Sequence, residues 1–141
     1  MSKIEILQRL RSEKVIALIR ADSPNSLLEC ARALAAGGLS CIELTMTTPG
    51  AIELCAQVAR ELPQVLLGLG TVLDADTARA GIAAGAKFIV TPETVGDFLK
   101  AGAFATAAGS ALVSPAALKA GDWAAITARA KQFVAAANAP R

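Results

Sequence analysis

The chain has 141 residues, enough for one domain with its own core, and 54% of them are hydrophobic against 18% charged. Its 14 basic and 12 acidic residues are interleaved and leave a net charge of +2, so no basic face for nucleic acid is evident, and no apolar run approaches the ~18 residues that span a membrane. Histidine and tyrosine are both absent, which removes Ser-His and Cys-His nucleophile pairs and leaves proton transfer to carboxylates, lysines or water.

The N-terminal "MSKIEILQRLRSEK" reads as a charged helix without the apolar centre of a signal peptide. Five apolar runs follow: "KVIALI" 14–19, "CIELT" 41–45, "VLLGLG" 65–70, "KFIVT" 87–91 and "AFATA" 103–107. Most are nearly continuous rather than alternating, as in parallel strands covered on both faces. Between them, "SLLECARALAAG" and "AIELCAQVAREL" place apolar residues at helical spacing, as do Trp123, Ile126, Ala130 and Phe133 in the last helix. Ser23-Pro24, Thr48-Pro49, Thr91-Pro92 and Ser114-Pro115 each offer a capping hydroxyl before a first-turn proline, and Asp74 and Asp122 are further candidate caps. Gly37, Gly85 and Gly102 are expected to close helices with positive φ. The pattern is a (βα) repeat with right-handed crossovers. Cys30, Cys41 and Cys55 lie inside apolar patterns and read as buried thiols of a cytoplasmic protein, with no metal-ligand spacing.

The spacing of the units is uneven. Successive strand starts are separated by roughly 27, 24, 22 and then 16 residues. A parallel crossover needs about a dozen residues, so the last connection, Pro92–Gly102, is minimal.

Residue patterns up to Pro92 resemble the KDPG (2-keto-3-deoxy-6-phosphogluconate)/4-hydroxy-2-oxoglutarate aldolase family. "VIALIRADS" resembles its first strand, "AAGGLSCIELTMTTPGAI" its second, and "LLGLGTVLDADTARAGIAAGAKFIVTPE" its third and fourth units. "TVGDFLKAGAFATAAGSALV" and "AGDWAAI" resemble the family's seventh helix, eighth strand and final helix. The resemblance implies a chain of five units, derived from an eight-unit barrel, with a seam near residues 92–94. It also implies that the strand bearing the Schiff-base lysine ("K-x-F-P") and the "P-T-G-G" phosphate loop are missing, since neither motif occurs between the two blocks. The expected fold is therefore a single α/β domain over residues 1–141 with a parallel five-stranded sheet. It is either a flavodoxin-like open sheet of order 2-1-3-4-5 or a partial barrel, order 5-1-2-3-4, completed by self-association. Leaving about eight apolar side chains of one face in water would forgo about 12–24 kcal/mol, which favours a homodimer if the face is open.

Polar residues collect at the C-terminal ends of the strands: Arg20, Glu43, Thr45, Thr71, Thr91, Thr106 and Ser110. In "CIELT", Ile42 and Leu44 share one face and Cys41, Glu43 and Thr45 the other. A carboxylate there is costly unless paired or needed. The resemblance implies a proton shuttle through water at Glu43; a structural pair with Arg20 is the other reading. For Arg20 the resemblance implies binding of the pyruvate carboxylate, against a plain rim arginine. Thr47 stands where the family often has a second arginine. Thr71 and Pro92 match substrate-lining positions, or serve only as a helix-start hydroxyl and a first-turn proline. Gly109 and Ser110 match half of a phosphate cradle, or form an ordinary glycine turn. No lysine is well placed to form a Schiff base: Lys14 and Lys87 begin strands, at the opposite face from the site. The expectation is a shortened aldolase relative without aldolase activity, needing no cofactor or metal. The alternative is a non-catalytic (βα)5 module that takes a small 2-keto acid or phosphate.

Overall fold

The computed structural model describes residues 1–90, 106–108, 110 and 112–138. Helix α1 (Lys3–Glu13) starts at Ser2, whose hydroxyl accepts the Glu5 N–H at 3.3 Å while the Glu5 carboxylate accepts the Ser2 N–H. Then come β1 (Val15–Ile19), a 3-10 turn (Pro24–Ser26), α2 (Leu27–Ala36), β2 (Cys41–Thr45), α3 (Ala51–Glu61), β3 (Leu66–Gly70), α4 (Ala75–Ala83), β4 (Phe88–Ile89), β5 (Thr106–Ala108), α5 (Pro115–Ala120) and α6 (Trp123–Asn138).

The strands form one five-stranded sheet of order β4-β3-β2-β1-β5, and every pair is parallel. Of the two arrangements the sequence leaves open, this is the barrel-derived one; the 2-1-3-4-5 order is not adopted. The reason lies in the crossovers. A 2-1-3 order would send α2 and α3 to opposite faces, yet Arg32 of α2 is ion-paired with Glu61 of α3. The last strand lies beside the first, with Val15 opposite Thr106 and Ala17 opposite Ala108.

The outer face of the sheet carries the core. Ile19, Ile42, Leu44, Leu67 and Leu69 pack with Leu27 and Leu34 of α2 and Leu54 and Val58 of α3. Each fully buried side chain of this size is worth about 1.5–3 kcal/mol. Gly37, at the end of α2, lets α6 come close: a Cβ there would stand 2.4 Å from Ala130 Cβ and 2.8 Å from the Thr127 carbonyl oxygen. The Thr127 hydroxyl donates to the Ala33 carbonyl at 3.0 Å across the same contact.

The inner face is different. β2 and β3 are buried throughout, but Ile16 and Leu18 of β1 and Phe88 of β4 are only half-buried. Two glycines of β3 make room on this face, Gly68 for the Phe88 ring and Gly70 for the Glu43 carboxylate. Helix α1 closes the N-terminal ends of the strands. Arg9 donates to the Ser40 hydroxyl at 3.2 Å and to the Gln64 carbonyl, just ahead of β2 and β3.

Several local expectations are corrected. β2 has the bounds of its apolar run, β1 and β3 each start one residue later than theirs, and β4 is only Phe88–Ile89. Gly37 ends α2 in right-handed geometry (φ −80°), and the next residue, Gly38, takes the left-handed turn (φ 90°), whereas Gly85 has the expected positive φ of 113°. Thr48 does not cap α3, which starts from Gly50; its hydroxyl accepts the Ala21 N–H at 3.3 Å instead. Ser114, Asp74 and Asp122 cap as expected. Thr91-Pro92 and Gly102 lie outside the described residues.

Candidate functional site

The C-terminal tips of β1, β2 and β3 bring three of the sequence-derived residues together. Register sets Leu18 beside Glu43 and Glu43 beside Gly68, so Glu43 sits in the middle of the sheet's inner face. Its side chain leans toward the strand tips and lies over Gly70, whose absent Cβ would be 1.8 Å from Glu43 Oε1. Glu43 is 4% exposed. Burial pushes its carboxyl above the ordinary range, and the positive charge of Arg20 pulls partly in the other direction. A carboxyl in that state holds its proton to higher pH than a surface glutamate does.

Arg20 does not form the direct ion pair with Glu43 that one reading of the sequence contained. Its Nε donates to the Thr45 hydroxyl at 3.4 Å, and the Thr45 and Thr47 hydroxyls lie 2.8 Å apart. Thr45 and Thr48 are buried, while Thr47 and Arg20 reach solvent. Thr71 follows Gly70 with φ 59°, a left-handed conformation that is costly for a β-branched residue. This turn is pinned between neighbours: Met46 N–H donates to the Gly70 carbonyl at 2.9 Å and Val72 N–H to the Val90 carbonyl at 3.2 Å. Ser110 is exposed in the turn after β5, at the same end of the sheet. Pro92 and Gly109 lie outside the described residues.

Sequence reasoning singled out Thr45 only as one of several polar strand ends, and missed Thr48. The signal was present in "CIELTMTT", where threonines recur just after the buried carboxylate. The pair Gly68 and Gly70 was also legible, since glycines two apart in a strand bare one face.

The described lysines stand elsewhere. Lys87 precedes β4 at the opposite end of the sheet, and its charge acts on the Cys55 thiol of α3, in the helical layer. Lys14 caps α1 ahead of β1, and Lys3, Lys119 and Lys131 belong to α1, α5 and α6. Among the described residues no group of histidine, cysteine or acidic side chains forms a metal site. Burial lifts the thiols of Cys30 and Cys41 to about 12, so neither is a nucleophile at neutral pH. A groove of about 510 Å³ between α2 and α6, lined by Arg32, Trp123 and Lys131 among others, lies in the helical layer and includes none of the tip residues.

Comparison with known proteins agrees with this geometry. The sequence profile of the aldolase family described as KDPG and KHG aldolase matches residues 6–94. The 2-dehydro-3-deoxy-phosphogluconate aldolase of Treponema pallidum is 39% identical over 89 residues, 63% of this chain and 42% of that protein. That of Pseudomonas aeruginosa is 37% identical over 90 residues, 64% and 41% of the two chains. The chain thus spans less than half the length of these curated relatives. Among solved structures, KDPG aldolase from Legionella pneumophila, with pyruvate captured as a covalent carbinolamine, superposes with a TM-score of 0.70 at 20% identity, covering 84% of this chain and 93% of that one. The Zymomonas mobilis ZM4 enzyme with 3-phosphoglycerate gives 0.58 at 27% identity, covering 77% and 52%. With a profile match over more than half its residues and a sheet in the family's order, the chain belongs to the KDPG and KHG aldolase family.

Proposed function

We propose that this chain is a shortened aldolase relative that keeps the pyruvate-facing corner of the family site and lacks the amine that would make it an aldolase. The family reaction is retro-aldol cleavage of 2-keto-3-deoxy-6-phosphogluconate to pyruvate and glyceraldehyde 3-phosphate. It needs a lysine whose amine condenses with the substrate ketone and expels water. The observation that carries this reading is the position of Lys14 and Lys87. Each stands just ahead of a strand, β1 and β4, while Glu43, Arg20 and Thr71 gather toward the ends of theirs. A five-residue strand spans about 16 Å, beyond the reach of a lysine side chain anchored at its far end.

What remains suits binding better than bond cleavage. Arg20 offers a fork for a carboxylate, Glu43 a carboxyl that burial makes hold its proton more readily, and the sequence Gly109-Ser110 matches half of the family's phosphate cradle. We read the chain as one domain over residues 1–141 with its seam near 92–94, in the cytoplasm like a metabolic enzyme. The end of the family match at residue 94 and the pairing of β5 with β1 support the seam. The half-buried Ile16, Leu18 and Phe88 support a homodimer that covers the inner face.

Borohydride trapping with pyruvate, followed by intact mass, tests the central point. The expected result is an unmodified mass and no pyruvate release from 2-keto-3-deoxy-6-phosphogluconate. A stable pyruvate adduct on any lysine overturns it.

A further inference from the structure

The geometry points to Thr45 as a positioning residue: its buried hydroxyl holds Arg20 by Nε, so that both Nη groups of the guanidinium are left for the carboxylate of a small 2-keto acid at the β1–β2 tips. This deepens the binding reading above and rests on it for the ligand.

Four observations carry the assignment. Register continues from Ile19 opposite Leu44, so Arg20 and Thr45 are lateral neighbours on adjacent strands. Thr45 is fully buried, so its hydroxyl has few positions to choose from. An arginine Nε can only donate, so Thr45 Oγ1 accepts from it at 3.4 Å, and the 2.8 Å contact with Thr47 Oγ1 gives the same hydroxyl a second partner. Three residues on, the buried Thr48 hydroxyl accepts the Ala21 N–H at 3.3 Å and pins the backbone that follows Arg20. β2 and the turn that follows it thus fix both the head and the root of an arginine whose body is otherwise in solvent. Among the described residues, neither Nη group is hydrogen-bonded, and no carboxylate stands within ion-pair distance of Arg20. An exposed arginine ordinarily loses several rotamers when it grips a ligand, and a tether at Nε removes part of that cost beforehand.

The test titrates pyruvate into the wild type and into Thr45→Val, Thr45→Ser and Arg20→Met, reading amide NMR shifts, with the Glu43 carboxyl followed by carbon NMR in each protein. Thr45→Val is expected to weaken pyruvate about tenfold, near the low end of what loss of a hydrogen bond to a charged group costs; Thr45→Ser should keep most of the affinity, and Arg20→Met should lose it. Wild-type affinity in Thr45→Val, with loss in Arg20→Met, overturns the positioning role and leaves the ligand reading intact. If the wild type takes no pyruvate, the ligand reading fails and the Glu43 titration decides the tether alone. A freed Arg20 no longer draws the Glu43 carboxyl down, so its titration rises in Thr45→Val and not in Thr45→Ser; an unmoved titration overturns the tether. Thr45→Ala makes the same comparison should the valine variant fail to fold.

Discussion

The carboxylate of Glu43 fills the space that a side chain at Gly70 would occupy. A Cβ on Gly70 would stand 1.8 Å from Glu43 Oε1 and 2.6 Å from its Cδ. β3 is therefore bare at this point for a reason: the strand beside it carries a buried acid that leans across. One residue pair back along the strand, Gly68 is bare beneath the Phe88 ring, 2.1 Å from where a Cβ would be. At these two positions the inner face is filled from the neighbouring strands, while Leu66 fills it from β3 itself.

Gly70→Ala is expected to displace the Glu43 head rather than the backbone, because the clashing atoms end a flexible side chain. The cost should be about 1–2 kcal/mol, in the range of a mild overpacking. In a Glu43→Ala background the added methyl enters vacated space and the cost should fall close to zero. A double-mutant cycle by urea unfolding reads the difference as coupling between the two positions.

Glu43 also sets a direction for pH dependence. Burial raises its carboxyl in the folded chain above the value in the unfolded chain, with Arg20 opposing. Between the unfolded and the folded values the native state therefore binds more protons. Its contribution to stability is fully present below the unfolded value and is lost as pH rises through the folded one. Glu43→Gln should remove that downward slope and leave the protein more stable than the wild type at neutral pH. Unfolding midpoints measured at steps from pH 4 to 8 check it; identical profiles for the two proteins would contradict the burial argument.

Much of this was legible in the sequence, and the limits have physical causes. The split of "CIELT" into Ile42 and Leu44 on one face and Cys41, Glu43 and Thr45 on the other follows from strand alternation, and the structure has it so. Strand order was legible only as two alternatives, because each (βα) unit looks the same whichever neighbour it pairs with. What decides between them is contact between distant segments, Arg32 with Glu61 and Gly37 with Ala130. Thr48 was misread for a similar reason. A hydroxyl before a proline fits a local cap, and nothing within a few residues reveals that the Ala21 N–H across the sheet takes it.

Gly37→Ala makes a sharper case than Gly70→Ala. The added methyl would meet the Thr127 carbonyl at 2.8 Å and Ala130 Cβ at 2.4 Å, neither of which can rotate away. α6 must then move off α2, and the Thr127 hydroxyl loses the Ala33 carbonyl. The expected cost is about 2–3 kcal/mol, the upper part of the overpacking range. Ala130→Gly in the same chain should recover only part of it, since the carbonyl clash persists. Thermal melts of the three variants give the comparison.

The hold of α1 on the sheet is chiefly polar. None of its residues is fully buried; Ile6 and Leu10 are half-buried, and Ile4 and Leu7 point to solvent. Arg9 bridges Ser40, Gln64 and Glu13, and the Ser40 hydroxyl in turn donates to Glu13. Arg9→Ala should therefore free the helix without unfolding the sheet, at about 1–2 kcal/mol for the charge-assisted bonds lost. Arg9→Lys should restore little, because a single ammonium cannot span a hydroxyl and a carbonyl from two strands as a planar fork does. Hydrogen exchange separates the outcomes: protection should fall across residues 3–13 while β2 and β3 amides keep theirs. Uniform loss over helix and sheet alike would mean that α1 is part of the cooperative core and not a latch laid over its N-terminal end.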